Sequence, residues 1–406
     1  MRLIHTSDWH LGRTLHGESL LAHQGEFLDW LLAEAVRQRV DAVVVAGDVY
    51  DRAVPPVDAV TLLDATLVAF ARARIPMLIT SGNHDSAVRL GFAAGLSEAA
   101  GIHLRTSLAD LDKPVVLTDD SGEVALYGVP YLLPDAVMAD LGAERSHASV
   151  LAAAAARIHA DAARRGIGRV VIAAHAFVTG GAASESERDI RVGGIGDVSA
   201  TVFGGACYVA LGHLHGPQLV SAAPEPGGAV PAGEAPAGGP VTGPGLARYS
   251  GSPLAFSFSE KSHRKSVTLV DIDAAGQVRT ELLPAPVPRP LREVRGRLDD
   301  LLARADGDLA ELAGAWVKVV LTDPQRPAAP MDRLREKWPH TLVLDFAPEG
   351  GLVSAAADLQ ALARTTDPAE ICALFVEYAG GTGPDDAERQ VLRGAVEAAQ
   401  HAEAVG

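Results

Sequence analysis

Five short apolar runs each stop at Asp, His or Asn: MRLIHTSD, DAVVVAGD (41–48), IPMLITSG (75–82), RVVIAAHA (169–176) and YVALGHLH (208–215). This pattern limits the fold more than any other feature of the chain. The third run leads directly into Asn83, His84 and Asp85. A core has no use for three strong polar groups in a row, because each needs a partner once it leaves water. An ordinary turn uses Asn and Asp but has no need of an imidazole. The runs are rich in Val, Ile, Leu and Ala with little alternation, as expected of strands covered on both faces. EVALYGVP (123–130) reads as a sixth strand without a polar end. Helical stretches at 24–38, 57–73 and 148–164 alternate with the strands. Strand–helix alternation predicts an α/β domain.

Residues 1–282 are predicted to form that domain, interrupted by a Pro/Gly/Ala-rich insertion at 221–245. The proline cluster LPAPVPRP (283–290) marks a boundary. Beyond it, 283–350 reads as strand, helix, strand, helix, strand, a small α+β module, and 351–406 as a helical tail. A chain of 406 residues has room for several domains. No apolar window is long enough for a membrane span, and the first residues lack the apolar core of a signal peptide. Two cysteines far apart and outside any CxxC pattern suit a reducing cytoplasm. The net charge of −16 opposes a generic basic nucleic-acid binder. It leaves room for an enzyme whose cations or partner supply local positive charge.

The strand ends gather Asp8 and His10, Asp48, Asn83 with His84 and Asp85, His175, and His213 with His215. Asp8/His10 and His213/His215 are spaced i, i+2, so on extended backbone each pair faces one way. In α/β sheets, ligands bind beyond the carboxyl ends of the strands. Asp, His and Asn suit divalent cations such as Mn²⁺, Fe²⁺ or Zn²⁺. Seven such groups exceed the needs of one ion and suit two, about 3.5–4 Å apart. With no cysteine in the set, a structural zinc cage is excluded. One Asp-x-His after a strand is ordinarily a turn, whereas the whole set at successive strand ends is a site. No Walker A motif occurs, so the chain is not an ATPase. Arg13 and His16 in GRTLHG, Asp51, and Arg188 in SERDIRVGG are candidate DNA contacts.

The pattern DWH…GD…GNHD…H…GHLH resembles the calcineurin-like metallophosphoesterases. HTSDWHLGRTLHG, AGDVYDRAVPP, SERDIRVGG, YVALGHLHGPQ and RYSGSPLAFSFSE further resemble the SbcD family, nuclease subunits of bacterial SbcCD complexes. The resemblance covers roughly residues 1–272. It implies two facing sheets flanked by helices, then a small capping domain and partner-binding helices. It also implies that Asp8, His10 and His215 hold one metal and that Asn83, His175 and His213 hold the other, with Asp48 bridging. By the same resemblance, His84 protonates the leaving oxygen. Asp85, its neighbour, is expected to orient and charge it. Asp51 stands where archaeal relatives carry a histidine.

The family further implies a preference for Mn²⁺, a coiled-coil ATPase partner of the SbcC type, and a homodimer within a heterotetramer. It implies ATP-stimulated 3'-5' exonuclease action on duplex DNA, and endonuclease action on single strands and hairpins, in DNA repair and recombination. Two other readings stand beside this one: a phosphodiesterase for small nucleotides or headgroups, and a non-catalytic subunit stabilised by its metals.

Overall fold

The computed structural model describes residues 1–178, 184–187, 198–220, 245–348, 367–380 and 383–405. The apolar runs become strands, and the chain continues through them in βα steps. β1 (Arg2–Thr6) is followed by a short hairpin, β2 (Thr14–Leu15) and β3 (Glu18–Ser19). Then come α1 (Leu21–Gln38), β4 (Ala42–Ala46), α2 (Val57–Ala73) and β5 (Met77–Thr80). Two short helices, α3 (Ala87–Leu90) and α4 (Ala94–Glu98), lead to β6 (Ile102–Arg105), β7 (Val115–Asp119) and β8 (Gly122–Val129). After α5 (Pro134–Leu141) and α6 (His147–Arg165) come β9 (Arg169–His175), β10 (Tyr208–Gly212), β11 (Gln218–Val220) and β12 (Leu246–Tyr249). β13 (Ser266–Ile272) and β14 (Val278–Pro284) end this region.

The strands form two six-stranded sheets, β14-β13-β1-β4-β5-β6 and β11-β12-β10-β9-β8-β7. β1, β4, β5 and β6 run parallel, and β13 closes against β1 antiparallel. In the second sheet β12, β10, β9 and β8 run parallel, with antiparallel edges β11 and β7.

Side-chain alternation along each strand builds three cores. Leu3, Val44 and Leu78 meet Leu126, Val171 and Tyr208 between the sheets. Their neighbours Ile4, Val43, Val45 and Ile79 face Phe27, Leu31 and Phe70 of α1 and α2. Val170, Ile172, Val209 and Leu211 face Val150, Leu151, Ala154 and Ile158 of α6. Each central strand is therefore apolar on both faces, which is why its sequence does not alternate. The alanine-rich α6 starts at Ser146, whose hydroxyl accepts the Ser149 N–H at 3.1 Å, and ends at Gly166 in the left-handed region at φ 73°. The predicted α/β sandwich with flanking helices is what forms.

The chain divides into Met1–Pro288 and Arg289–Gly406. The break falls after the predicted 282/283 because β14 keeps its register with β13 as far as Ser266↔Pro284, and the Ala285 N–H reaches the Lys265 carbonyl at 2.9 Å. The second unit holds a parallel sheet of β15 (Leu291–Gly296), β16 (Trp316–Leu321) and β17 (Thr341–Phe346). Helices α7 (Leu298–Ala303) and α8 (Pro330–Lys337) cover it around Leu301, Val317, Val319, Leu334 and Trp338. Helices Pro368–Gly380 and Asp386–Val405 follow and touch each other. The predicted insertion, apart from Gly245, lies outside the described residues. Among the described residues no helix is long and apolar enough to cross a membrane.

Candidate metal centre

The carboxyl ends of β1, β4, β5, β9 and β10 bring the predicted ligands together. Asp8 and His10 follow β1, Asp48 follows β4, and Asn83 and His84 follow β5. His175 is the last residue of β9, and His213 and His215 follow β10. The expectation that the i, i+2 pairs lie on extended backbone is corrected. Both strands stop short of them, and Asp8 (φ 54°), His10 (φ 45°), Asp48 (φ 50°) and His213 (φ 112°) all have positive φ. Such conformations are strained for side-chain-bearing residues and persist only where the surroundings enforce them. Here the Asp8 N–H bonds the Gly47 carbonyl at 3.1 Å, the His10 N–H bonds the Asp48 carbonyl at 3.0 Å, and the His213 N–H bonds the Asp8 carboxylate at 3.0 Å.

Three groups of donor atoms lie within 4.8 Å of one another: Asp8, His10 and His215; His10, Asp48 and His84; and Asp8, Asp48 and His175. All of these residues are buried. Asp48 Oδ2 lies 3.4 Å from His175 Nε2 and 3.6 Å from His10 Nε2. Asn83 Oδ1 lies 2.8 Å from His175 Nε2, and the His213 ring packs edge-on at 5.4 Å from the His175 ring. His10 Nε2 and His215 Nε2 face each other at 3.2 Å.

The electrostatics fit cations. Burial pushes the Asp8 carboxyl up to about 6, although His175 and His215 pull the other way. Asp48 stays well below the usual carboxylate range; burial opposes this, and His175 and His10 outweigh it. Burial likewise lowers His10 well below its ordinary value and takes His213 down to about 3, so both offer lone pairs. His175 alone goes up, to about 9, because Asp48 and Asp8 overcome its burial. Two buried carboxylates thus draw a proton onto an imidazole. A divalent cation supplies that positive charge better, and the oxygen and nitrogen donors without thiolate suit a hard-to-borderline ion.

Residues 1–217 match the family model for calcineurin-like phosphoesterases, and 287–379 match the model for the type 5 capsule protein repressor C-terminal domain. The SbcD component of the nuclease SbcCD from Rhodobacter capsulatus is 34% identical, over 92% of this chain and 94% of that one. Its namesake from Staphylococcus saprophyticus is 30% identical, over 85% and 84%. This chain belongs to the SbcD nucleases, within the calcineurin-like phosphoesterases. A third relative of that name, from Bacillus subtilis, is 37% identical over 67% of this chain and 66% of that one. The SbcD-family chain is a metal-dependent phosphodiesterase, and its buried donor groups bind divalent metal. The reading as a small-molecule phosphodiesterase is not favoured.

Other predicted residues fall differently around this SbcD-type centre. The expected role of Asp85 is corrected: its carboxylate accepts the backbone N–H groups of Val49, Tyr50 and Gly82 at 3.0, 2.8 and 2.9 Å. It ties the loop after β4 to the loop after β5. The His84 ring is held through Nδ1 by the Asp51 carbonyl at 2.8 Å. Arg13 turns inward, donating to the Ser186 carbonyl at 3.1 Å, lying 3.4 Å from Asp51 and stacking 4.7 Å over the Phe256 ring. His16 is exposed beside Phe258. Arg188 lies outside the described residues.

Sequence reasoning missed Gln24, which donates to the Trp9 and His10 carbonyls at 3.0 and 2.7 Å and accepts the Gly12 N–H at 3.0 Å, clasping the Asp8–Gly12 loop. It also missed Gly82, where a Cβ would lie 2.1 Å from Asp48 Oδ1. The glycine in GNHD was the available signal.

Proposed function

We propose that the chain cleaves DNA phosphodiesters at a two-ion centre. Asp8, His10 and His215 hold one cation, Asn83, His175 and His213 hold the other, and Asp48 lies between them. The observation that carries this reading is that Asp48 belongs to two of the three buried donor groups at once. Mn²⁺ is the expected ion. Bound divalent cations supply Lewis-acid polarisation of the phosphoryl oxygens and a water acidic enough to be a nucleophile near neutral pH. The residues do the rest. Asp48 also accepts the His84 N–H at 2.9 Å, which holds the loop after β5 against the donors. With Nδ1 engaged by the Asp51 carbonyl, protonated His84 carries its second proton on Nε2 and delivers it to the departing oxygen.

His84→Ala is expected to slow hydrolysis by about 10²–10⁴-fold. Its Mn²⁺ isotherm should match that of the parent, because proton delivery and metal holding are separate roles. The substrate is tested in the same assay, with duplex and hairpin DNA beside a chromogenic phosphodiester. Turnover of the chromogenic ester alone would turn down DNA as the substrate.

The names of the relatives support a partner protein, an SbcC-type coiled-coil ATPase that stimulates cleavage. Exposed Ile371, Phe375 and Val391 on the last two helices are suited to pack on a coiled coil. The net charge of −16 makes such a partner the expected source of basic surface for DNA. We place the complex in the cytoplasm, on the two free cysteines Cys207 and Cys372.

A homodimer has its own support. Val88, Phe92 and Leu96 are 86, 82 and 80% exposed, and Arg89 reaches the Ala53 carbonyl at 2.9 Å, which ties them to the segment bearing exposed Val54 and Val57. A contiguous apolar surface of this kind suits an isologous dimer. Phe92→Asp should sediment as a monomer in analytical ultracentrifugation with metal binding intact, and a persistent dimer would refute this surface.

A further inference from the structure

His215 is gripped at three points by residues remote from it in sequence. Its N–H donates to Glu187 Oε1 at 2.8 Å. Its carbonyl accepts from Lys265 Nζ at 3.0 Å. Its ring Nδ1 lies 2.6 Å from Ser186 Oγ and 3.3 Å from Glu260 Oε1, and the Ser186 hydroxyl itself donates to Glu260 Oε1. Glu260 and Lys265 form a close ion pair, 1% and 4% exposed. Lys265 also donates to Ser252 Oγ at 2.9 Å, and Glu260 accepts the Phe256 N–H at 3.2 Å.

Burying a carboxylate and an ammonium together rarely adds stability over an apolar pair, so this pair is not explained by folding alone. Its geometry points at the imidazole. A histidine that offers Nε2 to a cation must carry its proton on Nδ1, and that proton needs an acceptor. Ser186 Oγ can accept it while passing its own hydroxyl proton to Glu260, and Glu260 also stands within reach directly. We infer that Glu260, relayed by Ser186 and neutralised by Lys265, is the positioning residue that fixes the His215 tautomer and aims Nε2 at the cation shared with Asp8 and His10. This rests on the reading of His215 as a ligand. It adds that a metal site at the first strand's end is set by the segment SFSEKSHRK, some 250 residues later.

The test titrates Co²⁺ into the full-length protein and follows its visible absorption, which reports ligand set and occupancy without turnover. His215→Ala should weaken one of two binding steps and change its spectrum. If it does not, the ligand assignment fails. Given that result, Glu260→Gln should weaken the same step by about 10–100-fold. Glu260→Gln leaves Lys265 buried and unpaired, so the double variant Glu260→Gln/Lys265→Met serves beside it. It removes both charges and should melt close to the parent while keeping the weakened step. Ser186→Ala removes only the relay and should give a smaller loss in that step. Parental Co²⁺ affinity and spectrum in Ser186→Ala and in the double variant would overturn the inference while leaving His215 as a ligand.

Discussion

Asp48→Asn is expected to lower DNA cleavage by more than about 10³-fold while the fold survives. Asparagine keeps an oxygen for the His84 N–H, now 2.9 Å from Asp48 Oδ1. It removes the charge that lies 3.4 and 3.6 Å from His175 and His10, where two donor groups meet. A single preorganised donor is worth about 10²–10³ in rate. Losing the charge common to two ion positions should exceed that. Binding gives a second readout. At a Mn²⁺ concentration of about 100 times Kd, one bound ion stabilises by about 2.7 kcal/mol, which raises the melting temperature of a domain this size by about 5–11 °C. Asp48→Asn should lose most of that rise. Full cleavage, or an unchanged Mn²⁺-dependent rise, would remove Asp48 from the centre.

Gly212→Ala should be the most damaging one-carbon change in the chain. A Cβ there would sit 1.8 Å from the Ala46 carbonyl oxygen and 2.9 Å from His175 Nδ1. Ala46 belongs to the other sheet, and its oxygen already accepts from His175 Nδ1 at 3.0 Å. Backbone cannot swing aside as a side chain does, so the sheets must part locally and His175 must move. Overpacking of this kind should destabilise by about 3 kcal/mol or more, lowering the melting temperature by about 6–12 °C. Metal affinity should fall with it. Gly25→Ala is the control: it lies in α1, where the added Cβ meets only Leu62 Cδ1 at 3.7 Å. That change should stabilise by about 0.4–1 kcal/mol. Denaturant unfolding of both variants checks the contrast, and a Gly212→Ala protein as stable as the parent would refute the close sheet contact.

The strands and most of the centre were legible because the signal is local. Val43 to Val45 or Val170 to Ile172 cannot lie on a surface, and an Asp or His directly after such a run has to be explained. What escaped is set by the backbone or by distant segments. Nothing in the residue type of Asp8 or His213 announces a positive φ, since loop closure imposes it. Asp85 looks like a catalytic neighbour in sequence, but its partners are three main-chain N–H groups that carry no sequence signature. Arg13 reads as a free cation until Phe256 and Ser186 arrive from far along the chain to engage it. The unit boundary moved because pairing of β13 with β14 outlasts the first prolines of the cluster.

β1 lies between β4 and β13, strands whose residues are separated by more than two hundred positions, and its own carboxyl end carries Asp8. On the ribosome, at about 5–20 residues per second, His215 emerges about 10–40 s after Asp8. β13 follows later still, so the sheet holding the first ligands stays open-edged until most of the catalytic unit has been made. The hydrolytic machinery therefore assembles last. A nascent or truncated chain presents scattered weak chelators rather than a working blade, and premature nucleolytic activity is avoided by the order of synthesis alone.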